Sequence, residues 1–345
     1  MKVRVMRTED PSEYRLVRYR GRPIGAFPID APRAVRLQAA SRVVGFTAKR
    51  RWLRRGLMLA ASLGLDELIA KPFDYDRKLS TGQLRALFQS LSSVRGLSDW
   101  QYTYIRWPSE PERERIYLHL FSATGQELAF VKAVQPCDRL SLDRERRALN
   151  YLSGGSNSTF RAPRLTGSET SIGSTFPWLT VEPLPQTIRP HNVSAFDTAT
   201  CVSRHLLDKD SPVWVGDLEE LTWWPKLVSI APVDFVSDLL GLHRDGISVG
   251  WAHGDFGAHN VAYGDGALWV FDWESSSPDA PLRTDEWSVR FLRTEPADLL
   301  GALYSTDREA FADAMLTVAY QAAIEIRHGP KTVRQWPKIR RDIGL

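Results

Sequence analysis

HGDFGAHNV at residues 253–261, with FDWE at 271–274, is the part of this chain whose reading decides the rest. Asp255 and Asp272 each come just after a short apolar run, ISVGWA before the first and ALWVF before the second, with Asn260 between them. Carboxylates and a carboxamide placed after short strands suit magnesium, which takes few protein ligands and keeps water and phosphate oxygens for the rest. A carboxylate within hydrogen-bond reach of a hydroxyl acts as a general base worth ~10²–10⁴ in rate. Asp255 has the position for that role, with Gly254 leaving room for an acceptor. Asn260 offers a hard neutral oxygen, and Asp272, twelve residues on, a charged one. Phosphoryl transfer asks for this kit: a positioned hydroxyl, a clamp on the phosphates and a divalent cation. The plainer alternative is a set of polar loop caps.

Upstream, the periodicity divides the chain. Residues 1–31 are basic and irregular, and 32–70 carry apolar residues at helical spacing (Val35, Ala39, Val43, Phe46, then Trp52, Leu57, Ala60, Leu63). A further helix is predicted over 80–94, where Leu84, Leu87 and Leu91 share a face. WQYTYIRW, RIYLHLFS and ELAFVKAV then alternate as strands do, the last two joined by a turn at Ala123-Thr124-Gly125-Gln126. LDRERRALNYL follows as a helix with Leu142, Glu145, Leu149 and Leu152 on one face. WLTVEPLP is a strand that Pro183 and Pro185 turn into an extended connector. Beyond residue 190 the signals are mainly helical (194–208, 217–229, 232–243, 285–294, 305–327), interrupted by the short β segments around 253–274. Trp223-Trp224 reads either as packing of this region or as the lining of an acceptor pocket.

HGD-x4-N followed by FDWE resembles the catalytic loop and metal segment of the aminoglycoside phosphotransferase/choline kinase-like superfamily. The resemblance covers about residues 96–325 and continues upstream in AFVKAV and TVEPLP. It implies an α+β, protein kinase-like two-lobed fold: a small antiparallel-sheet N-lobe with its hinge at 96–185, a mostly helical C-lobe at 186–345, and a basic helical N-terminal extension at 1–95. It implies ATP and Mg²⁺ as cofactors and phosphoryl transfer to a hydroxyl of a small molecule. By the same resemblance Asp255 is the catalytic Asp, assisted by Asn260, and Asn260 and Asp272 are the metal ligands. Lys132 grips the phosphates, Glu145 pairs with it, and Glu182 and Leu184 lie on the hinge that reads adenine. His253 braces the loop, and Asp285 has a structural role. HGDF with FDWE and a long head is also similar to phosphotransferase-like proteins that accompany bacterial surface-polysaccharide synthesis, which implies a sugar or lipid-linked sugar acceptor.

Two stretches depart from that pattern. PSEPERER, between the first two strands of the N-lobe, has no glycine and three glutamates, whereas backbone cradles for phosphate usually need glycine. That keeps a kinase-like pseudoenzyme or scaffold as the alternative. Ala258-His259 stands where relatives often have proline, and His259 reads either as facing the acceptor or as a surface loop histidine.

The bulk numbers limit the field. Apolar residues make up 43% and charged residues 25% of 345, an ordinary globular balance. Cys137 and Cys201 are too few and too far apart for a disulfide scaffold or a CxxC site, and read as reduced packing residues. MKVRVMRTEDPSEYR has no apolar h-region, so the expectation is a cytoplasmic protein. Residues 1–55 hold 15 Lys/Arg against 4 Asp/Glu, +11, which leaves −7 on the rest of a +4 chain. KRRWLRR at 49–55 therefore reads as a face packed on the acidic body, as a peripheral contact with an anionic membrane, or, less readily, as a nucleic-acid contact.

Overall fold

The computed structural model describes residues 14–19, 22–28, 30–42, 48–64, 71–72, 81–106, 115–153, 160–185, 188–190, 195–209, 211–326 and 329–345. The chain forms two compact units, residues 1–154 with 163–186, and residues 155–162 with 187–345.

The first unit is built on an eight-stranded antiparallel sheet in the order β3-β1-β2-β4-β5-β6-β8-β7. Its strands are β1 Tyr14–Tyr19, β2 Arg22–Pro28, β3 Lys71–Pro72, β4 Tyr102–Arg106, β5 Arg115–Phe121, β6 Glu127–Val134, β7 Leu165–Glu169 and β8 Trp178–Val181. Its helices are α1 Arg33–Ser41, α2 Ala48–Leu63, α3 Thr81–Ser92 and α4 Arg139–Ser153. Alternation along the strands feeds two apolar layers, because successive side chains point to opposite faces. Leu84, Leu87, Phe88 and Leu91 of α3 pack with Ile105, Ile116, Leu118, Ala129 and Val131. Their sheet neighbours Tyr104 and Phe121 pack instead with Val35 and Ala39 of α1 and Leu57 of α2. The β5–β6 hairpin turns through Gly125 at φ 85°, a conformation glycine adopts at little cost.

Several expectations need correcting here. Residues 14–28 are not irregular: Tyr14 and Leu16 are buried, and β1 and β2 extend the sheet through Gly25↔Arg106 and Ala26↔Ile105. The helices expected in this region are present at Arg33–Ser41, Ala48–Leu63 and Thr81–Ser92, and the described strands β1 and β2 join them to the sheet. The arginines of YRLVRY and RPIGAFP kept this stretch from reading as strand. Of KRRWLRR, Leu53 turns toward the sheet and Trp52 is 71% exposed, a partly packed and partly solvated face. Cys137 and Cys201 are exposed rather than packed. Val43, Phe46 and most of PSEPERER lie outside the described residues.

The second unit holds two three-stranded sheets, β10-β11-β14 and β13-β12-β9. The strands are β9 Arg189–Pro190, β10 Val213–Val215, β11 Ile247–Ala252, β12 Val261–Gly264, β13 Ala267–Val270 and β14 Ser277–Pro281. The helices are α5 Ala195–Lys209, α6 Trp224–Ile230, α7 Val233–Leu242, α8 Thr284–Phe291, α9 Pro296–Thr306, α10 Arg308–Ala323, α11 Gly329–Arg334 and α12 Trp336–Asp342. α10 is the centre of the core, buried from Ala314 through Ala323. Trp223 and Trp224 are each 5% exposed in that core, Trp223 edge-on to Tyr320, so they are packing residues. The basic tail is structural as well, since Val333, Trp336 and Ile339 are buried in the same core.

Residues 155–162, expected in the N-lobe, group with this second unit. Arg161 exchanges backbone hydrogen bonds with the edge of β13 (to Leu268 O, 2.7 Å; from Val270 N, 2.8 Å), and Phe160 is buried against Trp273. The architecture is α+β, an antiparallel-sheet unit followed by a mostly helical one. No helix among the described residues is long and apolar enough to cross a membrane.

Candidate functional site

The first unit contributes a buried ion pair. Lys132 lies on β6, between β5 and β8, and is 7% exposed. Its Nζ donates to both carboxylate oxygens of Glu145, each at 2.8 Å. Glu145, at 3% exposure, sits on the buried face of α4 with Leu142, Ala148 and Leu149. A carboxylate on an otherwise apolar helix face is costly unless it is paired, and the symmetric bond to Lys132 is that pairing. Phe130 and Tyr117 share the Lys132 face by strand parity and stack with centroids 5.7 Å apart, with the Arg106 guanidinium 4.7 Å from the Tyr117 ring.

The connector after β8 is Glu182-Pro183-Leu184-Pro185. Glu182 N donates to Arg164 O at 2.9 Å, and Glu182 Oε1 accepts from Arg164 N at 2.9 Å, a reciprocal clasp onto the start of β7. The Leu184 carbonyl accepts from Arg42 Nη2 at 3.0 Å. Arg42, just past α1, is a contact that sequence reasoning missed. Nothing local marks it among fifteen cations in the first 55 residues. Beside it Glu127 Oε1 meets His119 Nδ1 at 2.6 Å, both side chains buried. Burial pushes the His119 imidazole below its ordinary value, against the opposing pull of Glu127.

The second unit holds the quoted loop through its backbone. Asp285, on the first turn of α8 and 1% exposed, accepts from His253 N at 2.8 Å and from Gly254 N at 2.9 Å, one per carboxylate oxygen. His253 is fully buried, with Trp273 and Phe256 against its ring, and its Nε2 lies 3.0 Å from the Phe271 carbonyl. Nε2 is therefore the protonated nitrogen, because a carbonyl only accepts. Phe271 N donates to Asn260 O at 3.1 Å, and Asn260 Nδ2 donates to Asp255 O at 2.9 Å. These bonds join the HGD loop, Asn260 and the FDWE segment into one hydrogen-bonded group.

Gly254 has a different reason from the one expected. It adopts φ 82°, and a Cβ there would lie 2.2 Å from Ser275 O. The missing side chain makes room for the backbone that follows Asp272. Asp272 itself is left-handed, φ 70° and ψ 55°, unusual outside glycine and asparagine and characteristic of functional sites. It is half-buried, as is Asp255, whose Oδ2 lies 3.6 Å from Nε2 of the exposed His259. Asn260 is 3% exposed, and with Nδ2 committed to Asp255 O its Oδ1 is the atom left to offer a cation. An amide oxygen and a carboxylate are hard donors that suit magnesium rather than a soft metal. The donor set thus fits the expected ion.

No protein-family model matches the chain, and no curated protein does. Among solved structures it is similar to the streptomycin-ATP-APH(2″)-IIa ternary complex, with a TM-score of 0.39, 10% identity, and coverage of 79% of this chain and 92% of that one. A structure of WbdD gives a TM-score of 0.29 at 16% identity over 70% of this chain, and one of the bifunctional kinase-methyltransferase WbdD gives 0.27 at 16% over 67%. The chain spans about half the length of the two WbdD chains, 50% and 47%.

Proposed function

We propose that this chain is an ATP- and magnesium-dependent phosphotransferase acting on a hydroxyl of a small molecule. One observation carries the reading. The main chain on both sides of Asp255 is fixed by bonds to Asp285, Phe271 and Asn260, which positions the Asp255 side chain. Asp255 takes the acceptor proton as the new O–P bond forms and the bond from the γ-phosphorus to the bridging oxygen breaks, releasing ADP. Asn260 Oδ1 and the Asp272 carboxylate would hold magnesium, which when bound neutralises phosphate charge. Lys132, oriented by Glu145, supplies the cation for the α/β-phosphates. On the connector, Pro183 and Pro185 have no N–H and the Glu182 N–H is committed to Arg164 O, so Leu184 N–H is the donor left for an adenine edge, beside the Glu182 carbonyl as acceptor.

The acceptor class follows from the resemblance noted above: a sugar, an aminoglycoside-like compound or a lipid-linked sugar. The test is transfer of labelled γ-phosphate from ATP to a panel of such alcohols, with the natural chain and Asp255→Asn. Transfer that the substitution abolishes supports the reading. ATP binding without transfer to any alcohol supports the pseudoenzyme alternative instead.

A further inference from the structure

We infer that Arg42 is a positioning residue for adenine recognition, an inference that rests on the nucleotide reading above. Arg42 follows the last turn of α1, outside the segment that resembles known kinases. Its Nη2 reaches across 142 residues of sequence to the Leu184 carbonyl at 3.0 Å, and the same nitrogen lies 2.5 Å from Glu127 Oε2. Glu127 is fixed in turn by His119, 2.6 Å from its other oxygen. Burial favours the neutral imidazole, so Nδ1–H donates to the Glu127 carboxylate. With Glu127 the guanidinium makes an ion pair, and its hydrogen bond to the Leu184 carbonyl is charge-assisted, a kind stronger than a neutral one.

The position of that contact gives it a function. Leu184 is the residue whose N–H is left to read a purine, and Arg42 holds the same residue by its carbonyl. Pro183 and Pro185 already fix φ on either side. The torsions of Leu184 are then the soft ones in the connector, and the bond from Arg42 constrains them. The buried Glu127–His119 pair keeps the guanidinium from following solvent. Helix α1 thereby acts on nucleotide binding without touching nucleotide.

Calorimetry on the full chain tests this with two probes, Mg-ATP and Mg-tripolyphosphate, the second lacking the adenine end. The variants are Arg42→Lys and the double replacement Arg42→Met/Glu127→Met. The double variant removes both buried charges together, a change that proteins commonly tolerate, so a folded protein is available for the comparison. The expected result is a loss of about five- to tenfold in ATP affinity for the double variant. Tripolyphosphate affinity stays unchanged, and the KM for ATP rises while kcat does not fall. Arg42→Lys keeps one donor and gives an intermediate loss. Unchanged ATP affinity in the double variant overturns the inference, and so does an equal weakening of both probes, which is the signature of general loosening. If the natural chain binds neither probe, the nucleotide reading itself fails. Binding by the natural chain with no change in the variants removes Arg42 alone.

Discussion

In the sheet unit the charges meet one another, Lys132 with Glu145 and Arg42 with Glu127, side chain to side chain and largely out of water. In the helical unit the charges are held by main chain: Asp285 takes two backbone N–H groups, and Asn260 bonds the Asp255 carbonyl. The difference teaches where each unit is vulnerable. A buried pair is lost when either partner goes but tolerates removal of both. A backbone-held loop depends instead on conformations such as Gly254 at φ 82° and Asp272 at φ 70°.

The largest effect belongs to the helical unit and concerns rate. Asp255→Asn is expected to lower kcat by ~10²–10⁴ while ATP affinity is retained, because a base acts mainly in the transition state. Single-turnover assays with parallel ATP binding measure both, and equal turnover would break the contrast. Next comes stability in the sheet unit. Lys132→Met strands Glu145 as a buried charge and is expected to cost about 3–5 kcal/mol in urea unfolding. Lys132→Met/Glu145→Leu should recover most of that, and a double variant no better than the single one would show that the pair is not the unit of stability. Asp285→Asn keeps the shape but turns an NH₂ toward backbone N–H groups, with an expected cost of about 1–3 kcal/mol. It should also lower turnover, because it loosens the loop that presents Asp255.

The smallest effect is on pH. Burial lowers the His119 imidazole below its ordinary value, with Glu127 facing it and Arg42 and Arg106 near. The unfolded chain then takes the proton before the folded one. The stability His119 contributes is present above the ordinary value of 6.5 and is lost as pH falls through the folded value, with a slope of at most ~1.4 kcal/mol per pH unit. His243, lowered by burial as well, adds a second slope. His119→Gln should flatten the first, and an unchanged pH profile of the unfolding midpoint would show that His119 is not part of it.

What was legible in the sequence follows the same division. The 253–274 loops declared themselves because polar groups at strand ends need a reason, and the helix carrying Glu145 did so because one carboxylate interrupts an apolar face. The role of Gly254 was not legible, since the Ser275 carbonyl that excludes a side chain is a tertiary neighbour. The two N-terminal strands were hidden because arginines break up the apolar pattern to which the buried Tyr14, Leu16, Ala26 and Phe27 belong. Arg42 was illegible for a different reason, because its partners lie 85 and 142 residues away and no local pattern selects it from its neighbours. The segment 155–162 was assigned to the wrong unit because its pairing with β13 is non-local.

The central claim is a magnesium-dependent nucleotide site that needs Asp272. Thermal unfolding with ATP, with and without magnesium, tests it in the natural chain and in Asp272→Asn, a substitution chosen because asparagine tolerates the left-handed backbone. Nucleotide at ~100 times its dissociation constant adds about 2.7 kcal/mol, enough to raise the midpoint by several degrees. The account predicts a rise that requires magnesium and is lost in Asp272→Asn. No rise at millimolar ATP, or an equal rise in both proteins without magnesium, would contradict it.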